Sequence, residues 1–270
     1  MRNFFRTHPA TTALGLTAFY FLVLAAPGFW ADRGFGNDPE MTPQQMPLDQ
    51  VPVELLLAAS ALAIVWFLGW GRSARITSRP DWTGLWYVLP PLAFTFLILT
   101  VGFILPGLQT ENGLALVWQS GLIQSLLLLS LLVGVFEEVM FRGIVMHGLE
   151  QRFGGLVALI ASSVIFGAMH YVNFIDGQSL GATNKQVLHA AGVGLLYGAL
   201  ALRIGSIWPG VLLHALWDAT VALAGMGADA PDSGTGHGIL LFVIQNFELL
   251  FGAFVTVMWL RHRRAAREIA

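Results

Sequence analysis

The chain has 270 residues, of which 56% are apolar and only 11% charged, and its mean hydropathy is +0.68. A soluble domain carries about 25% charge, so these figures exclude an ordinary soluble globule as well as a disordered, collagenous or coiled-coil chain. A net charge of −2 provides no basic field for nucleic acid. The absence of cysteine removes disulfides, thiolate metal sites and cysteine nucleophiles together.

Apolar stretches near membrane-crossing length fall at 11–28, 52–70, 84–106, 115–145, 155–174, 187–204, 207–226 and 238–260. Backbone groups in lipid must bond within their own segment, so these eight spans are expected to be helices. The expected fold class is all-α, a polytopic integral membrane protein with residues 1–270 as one transmembrane domain. The first span follows Arg2 and Arg6 and ends near Ala25-Ala26-Pro27, the outline of a signal peptide. With further spans behind it, an uncleaved anchor is the expected reading. Residues 29–51, with Gly34, Gly36, Pro39, Pro43 and Pro47, read as an irregular outer loop.

Charge distribution sets the expected orientation. Of 14 Lys and Arg, only Arg33 and Lys185 fall on the side that also carries Asp32, Asp38, Glu40, Asp49, Glu111, Asp176, Asp229 and Asp232. The remaining basic residues, including Arg72, Arg75, Arg79, Arg152 and the run from Arg261 to Arg267, fall on the other side. The positive-inside rule makes that side, with both termini, cytoplasmic. The address is thus a multi-pass membrane of the bacterial inner or plasma type. Trp30 and Trp118 near outer edges, and Trp70, Trp82, Trp86, Trp208 and Trp259 near inner ones, read as interfacial belts.

Charged groups inside a span cost several kcal/mol unless paired or hydrated, so those present point to function. They are Glu137, Glu138 and Arg142 on the fourth span, His170 on the fifth, His214 and Asp218 on the seventh, and Glu248 on the eighth. Glu138 and Arg142 stand four apart with the acid first, the favourable order for an ion pair. Glu137 points about 100° away and needs a partner on a neighbouring helix. Gly154 and Gly155 mark a hairpin turn that puts Glu137 and His170 level, each roughly 24 Å from the tip. His214 joins them in depth if that hairpin projects about 10 Å beyond the membrane. Asp218, one turn from His214, can orient it, and Phe166 precedes His170 by the same interval. Glu248 reads as a structural or cavity-lining polar group, and His189 and His147 as interfacial. Gly192, Gly194 and Gly198 read as close-packing positions.

The ordered set Glu137-Glu138-Val-Met-Phe-Arg142, Phe166-Gly-Ala-Met-His170 and His214-Ala-Leu-Trp-Asp218 resembles the CPBP family of CAAX proteases and bacteriocin-processing enzymes, which includes the Ras-converting type of prenyl endopeptidase. The resemblance covers residues 115–226. It implies an intramembrane endopeptidase whose catalytic cavity lies between spans four, five and seven. Glu137 activates water, His170 helps hold it, and His214 with Asp218 stabilises the oxyanion, while Glu138, Arg142 and Phe166 support them. Prenyl-processing members carry Asn at the last position. An ionised Asp218 cannot donate to an oxyanion, so it acts either as a neutral acid or by holding His214.

The resemblance favours metal-free hydrolysis with no cofactor. The zinc alternative has Glu137, His170 and His214 as ligands, although the HExxH signature is absent. The expected partners are the lipid bilayer and a peptide or protein substrate, CAAX-like or leader-type, that carries a lipid in the prenylated case, and not nucleic acid. The rival classes are a non-catalytic scaffold or immunity protein and a proton-coupled transporter, which the lack of an internal repeat disfavours.

Overall fold

The computed structural model describes residues 2–30, 45–109, 121–226 and 246–269. Among the described residues every regular element is helical: α1 (Arg2–Thr7), α2 (Pro9–Trp30), α3 (Gln45–Leu68), a 3-10 helix (Trp82–Val88), α4 (Leu89–Leu99), α5 (Leu105–Leu108), α6 (Leu122–Glu138), α7 (Met146–Phe153), α8 (Gly155–Met169), α9 (Val172–Ile175), α10 (Leu180–Ile204), α11 (Trp208–Met226) and α12 (Phe247–Ile269). Two π-helical stretches, Thr100–Ile104 and Val139–Val145, join α4 to α5 and α6 to α7 without a break.

Six segments among the described residues are long and apolar enough to cross a membrane: Pro9–Ala26, Leu48–Leu68, Trp82–Leu108, Leu122–Phe153, Gly155–Ile175 and Leu180–Ile204. Leu56, Trp66, Val164 and Leu188 point outward from the bundle, an apolar surface suited to lipid rather than water. The chain is therefore a multi-pass integral membrane protein. The last two expected spans coincide with α11 and with α12 from Phe247 onward. Residues 238–245, most of the outer loop at 31–44, and Trp118, Asp229 and Asp232 lie outside the described residues.

α10 is the central helix: 67% of its window is buried, against 11% for Trp82–Leu108. It packs against α8 on one side and α12 on the other, while α6 packs against α3 and α11. Small residues permit this closeness. A Cβ at Gly198 would sit 2.5 Å from Leu159, and one at Gly194 3.0 Å from Ser163, as the close-packing reading of these glycines expects. Gly154, at φ +80°, makes the expected hairpin turn between α7 and α8.

Residues 69–81 fold back under the turn at Gly205. The indole N–H of Trp208 donates to the Ile76 carbonyl at 2.8 Å, the Ile207 amide donates to Arg75 at 3.1 Å, and the Ser78 hydroxyl donates to Gly205. Asp81 caps the 3-10 helix, accepting from the Thr83 amide at 2.9 Å, and pairs with Arg203 at 2.7 Å. The Thr83 and Arg203 hydrogen bonds lower the Asp81 carboxyl to about 2.

Three expectations about surface residues change. Trp70 and Trp259 are buried core side chains rather than belt residues, the latter filling the space left by Gly155. His147 is buried too, edge-on to Trp70 at 5.0 Å and 3.3 Å from the Ser73 hydroxyl. The exposed part of the hairpin begins beyond it, at Gln151.

Candidate functional site

α6 ends with Glu137 and Glu138 on its last turn, and α11 brings His214 and Asp218 to meet them. The approach of the two helices is set one turn earlier, where a Cβ at Gly134 would sit 3.0 Å from the Val211 carbonyl. Gly210 likewise clears space for the Glu138 carboxylate, which lies 3.3 Å from where its Cβ would be. Glycine at both positions lets backbone and carboxylate come to distances that a side chain would crowd.

His214 is the hub. Its Nδ1–H donates to Glu138 Oε1 at 2.9 Å, and its Nε2 faces Glu137 Oε2 at 3.4 Å and Asp218 Oδ2 at 3.5 Å. The ring lies 5.4 Å from Tyr197 and 6.1 Å from Phe166, and the residue is 4% exposed. Three carboxylates thus surround one imidazole. The pairing of His214 with Asp218 follows from their four-residue spacing, whereas its bonds to Glu137 and Glu138 do not.

Glu138 pairs with Arg142 at 2.9 Å, as the spacing predicts, with both side chains 1% exposed. Among the described residues the two guanidinium Nη atoms and Glu138 Oε2 have no hydrogen-bond partner. The pair is held instead by charge and by aromatic faces, with the Arg142 guanidinium 4.3 Å from the centre of the Phe166 ring and 5.7 Å from that of Tyr197. Phe166 also packs edge-on against His170 at 5.2 Å. One aromatic ring therefore touches the supporting cation and both histidines.

His170 caps the end of α8, and its Nδ1 lies 3.0 Å from the Phe166 carbonyl. A carbonyl only accepts, so Nδ1 carries the hydrogen, and in the neutral ring Nε2 keeps the lone pair. Glu137 makes its close contact with His214 rather than with His170. All four expected catalytic residues, Glu137, His170, His214 and Asp218, nonetheless line one cavity of about 370 Å³, together with Phe166, Asn173 and Gln186. The cavity's mixed lining matches what a polar reaction in an apolar bundle requires: a few convergent polar groups among hydrophobic walls.

Among the described residues no group of three His, Cys, Asp or Glu is placed to hold a metal ion. His189, expected at an interface, instead stacks on Trp217 at 5.7 Å and lines a cavity of about 480 Å³ that shares His170, His214 and Asp218 with the first. Sequence reasoning missed this placement because Trp217 and His189 lie on different helices with no spacing to link them.

Residues 118–220 match the family model described as type II CAAX prenyl endopeptidase Rce1-like. The matched segment holds all seven residues of the three sequence motifs. No curated protein and no solved structure matches the chain.

Proposed function

We propose, from the match of residues 118–220 to the Rce1-like family model, that the chain is an eight-span intramembrane endopeptidase of the CPBP/CAAX type. Its substrate is a membrane-associated peptide or protein, CAAX-like or leader-type. The observation that carries this reading is the convergence of Glu137, His170, His214 and Asp218, from α6, α8 and α11, on a single cavity. Such a cavity supplies what lipid does not: room for the water that hydrolysis consumes.

The reaction begins with water between Glu137 and the free Nε2 of His170. Glu137 takes one of its protons as the oxygen attacks the scissile carbonyl carbon. The carbonyl π pair moves onto its oxygen, and His214, donating from Nε2, stabilises that oxyanion. Asp218, 3.5 Å from the same nitrogen, serves by orienting the ring, which accounts for an Asp where prenyl-processing relatives carry Asn. As the intermediate collapses, the C–N bond breaks and the proton held by Glu137 passes to the leaving amine. The proposed route is metal-free, with Glu137 and His170 alone holding the water.

The test is cleavage of a fluorogenic CAAX-like peptide library by the purified protein with and without a zinc chelator. Glu137→Ala lowers the rate about 10²–10⁴-fold, the range of a lost general base, and chelation leaves the wild type unaffected. Chelator-sensitive cleavage would restore zinc on Glu137, His170 and His214. Equal activity of wild type and variant would remove Glu137 from the mechanism.

A further inference from the structure

A second chamber of about 640 Å³ lies between α4, α10, α11 and α12. Trp217 and His189 line both this chamber and the cavity that holds His170, His214 and Asp218, so the two adjoin. Into it comes Glu248, at the start of α12, 5% exposed. Among the described residues Glu248 Oε1 has no hydrogen-bond partner. A carboxylate inside a membrane bundle requires a cation or a water-filled space, and the mechanism above makes no use of this one.

The walls indicate which cation fits. Phe94 stacks on Trp217 with centroids 5.9 Å apart and on Phe247 at 4.3 Å. Trp217 and Phe94 thus form an aromatic wall of the chamber that Glu248 enters. A buried carboxylate beside apolar and aromatic walls attracts an organic cation, by its charge and by the burial of its hydrocarbon part together. Apolar side chains such as Ile98 and Leu249 complete the lining and suit an alkyl stem. Lys185, on the exposed start of α10, is a second charged group in the lining, and a positive charge there opposes the entry of another cation.

We propose that this chamber binds a primary ammonium group on an alkyl stem, and that its natural occupant is a lysine side chain of the substrate. The identity of the occupant rests on the protease reading, while the chemistry of the chamber does not.

The probe is n-butylammonium, the lysine side chain without its backbone, titrated onto the full-length protein in detergent while its melting temperature is followed, with butan-1-ol and matched sodium chloride as controls. Butylammonium raises the melting temperature of the wild type and the controls do not. Glu248→Gln weakens the apparent affinity by at least about tenfold, and Lys185→Gln strengthens it. No rise in the wild type, or the same rise in Glu248→Gln, would overturn the proposal. If Glu248→Gln does not fold, Lys185→Gln decides: tighter binding supports the site and unchanged binding overturns it.

A second arm compares cleavage of paired library peptides with lysine or norleucine at each position. The wild type prefers lysine at one position and Glu248→Gln loses that preference; cleavage without any such preference would overturn the lysine assignment. A wild type that cleaves no peptide would sink the protease reading alone, and the butylammonium titration would still decide the chamber.

Discussion

Arg142 shows how an unbonded cation is kept inside the bundle. Its guanidinium sits over Phe166 and faces Glu138, and Glu138 in turn accepts from His214. Removing the cation leaves a buried carboxylate uncompensated, which costs about 3–5 kcal/mol. Replacing it with lysine keeps the charge but loses the planar face, a contact worth about 0.5–2 kcal/mol. Thermal unfolding in detergent should therefore rank wild type above Arg142→Lys and Arg142→Lys above Arg142→Ala. A lysine variant as stable as the wild type would show that the aromatic face contributes nothing. The Glu138–Arg142 half of this network was legible because four-residue spacing is a local rule. The bond from His214 to Glu138 spans 76 positions, and no periodicity reports which rotamer a carboxylate chooses between two cations.

The elements depart from sequence-based expectation where helices stop being α. Depth arithmetic takes about 1.5 Å per residue throughout, yet seven residues directly after the paired glutamates are π-helical. A π turn advances less per residue and rotates the remainder of the helix about its axis. The stretch has an identifiable support: the Ser162 hydroxyl on α8 donates to the Phe141 carbonyl at 2.8 Å, and the Met146 amide reaches the same oxygen. The other π stretch precedes Pro106, which has no N–H to continue an α ladder. Proline is visible in a sequence, but a serine on the next helix is not.

Six of the expected spans, the hairpin turn and the glycine packing were readable, because each depends on composition or on a local backbone demand. The contact of α6 with α11 was not, and it turns on Gly134. Gly134→Ala forces a methyl group 3.0 Å from the Val211 carbonyl, an overpacking that costs about 1–3 kcal/mol. The separation it imposes falls one turn from Glu138 and His214. Peptide cleavage should fall along with the melting temperature. Gly15→Ala is the control: its added Cβ meets nothing within 4 Å, and alanine in a helix interior gains about 0.5–1 kcal/mol. Equal behaviour of the two variants would refute the close approach as the positioning device.

For the whole molecule, the question that packing cannot answer is direction across the membrane. The helices and their lipid-facing surface are the same whichever way the bundle is inserted. Charge breaks that symmetry: apart from Arg33 and Lys185, the basic residues fall at one end of the expected spans, and loops rich in Lys and Arg stay cytoplasmic. Under the proposed protease reading, a CAAX-like carboxyl terminus presented from the cytoplasm would enter from the Arg-rich end.

The sequence contains no cysteine, so a single introduced thiol reports its own side. Gln151 is exposed beside the hairpin turn, and Gly181 has open space where a side chain would go. In sealed right-side-out vesicles a membrane-impermeant maleimide should label Gly181→Cys at once and Gln151→Cys only after permeabilisation. The opposite pattern would invert the protein and put the Arg-rich end on the other face. It would then favour substrates presented from outside over lipidated cytoplasmic tails, with the chemistry of Glu137, His170 and His214 unchanged.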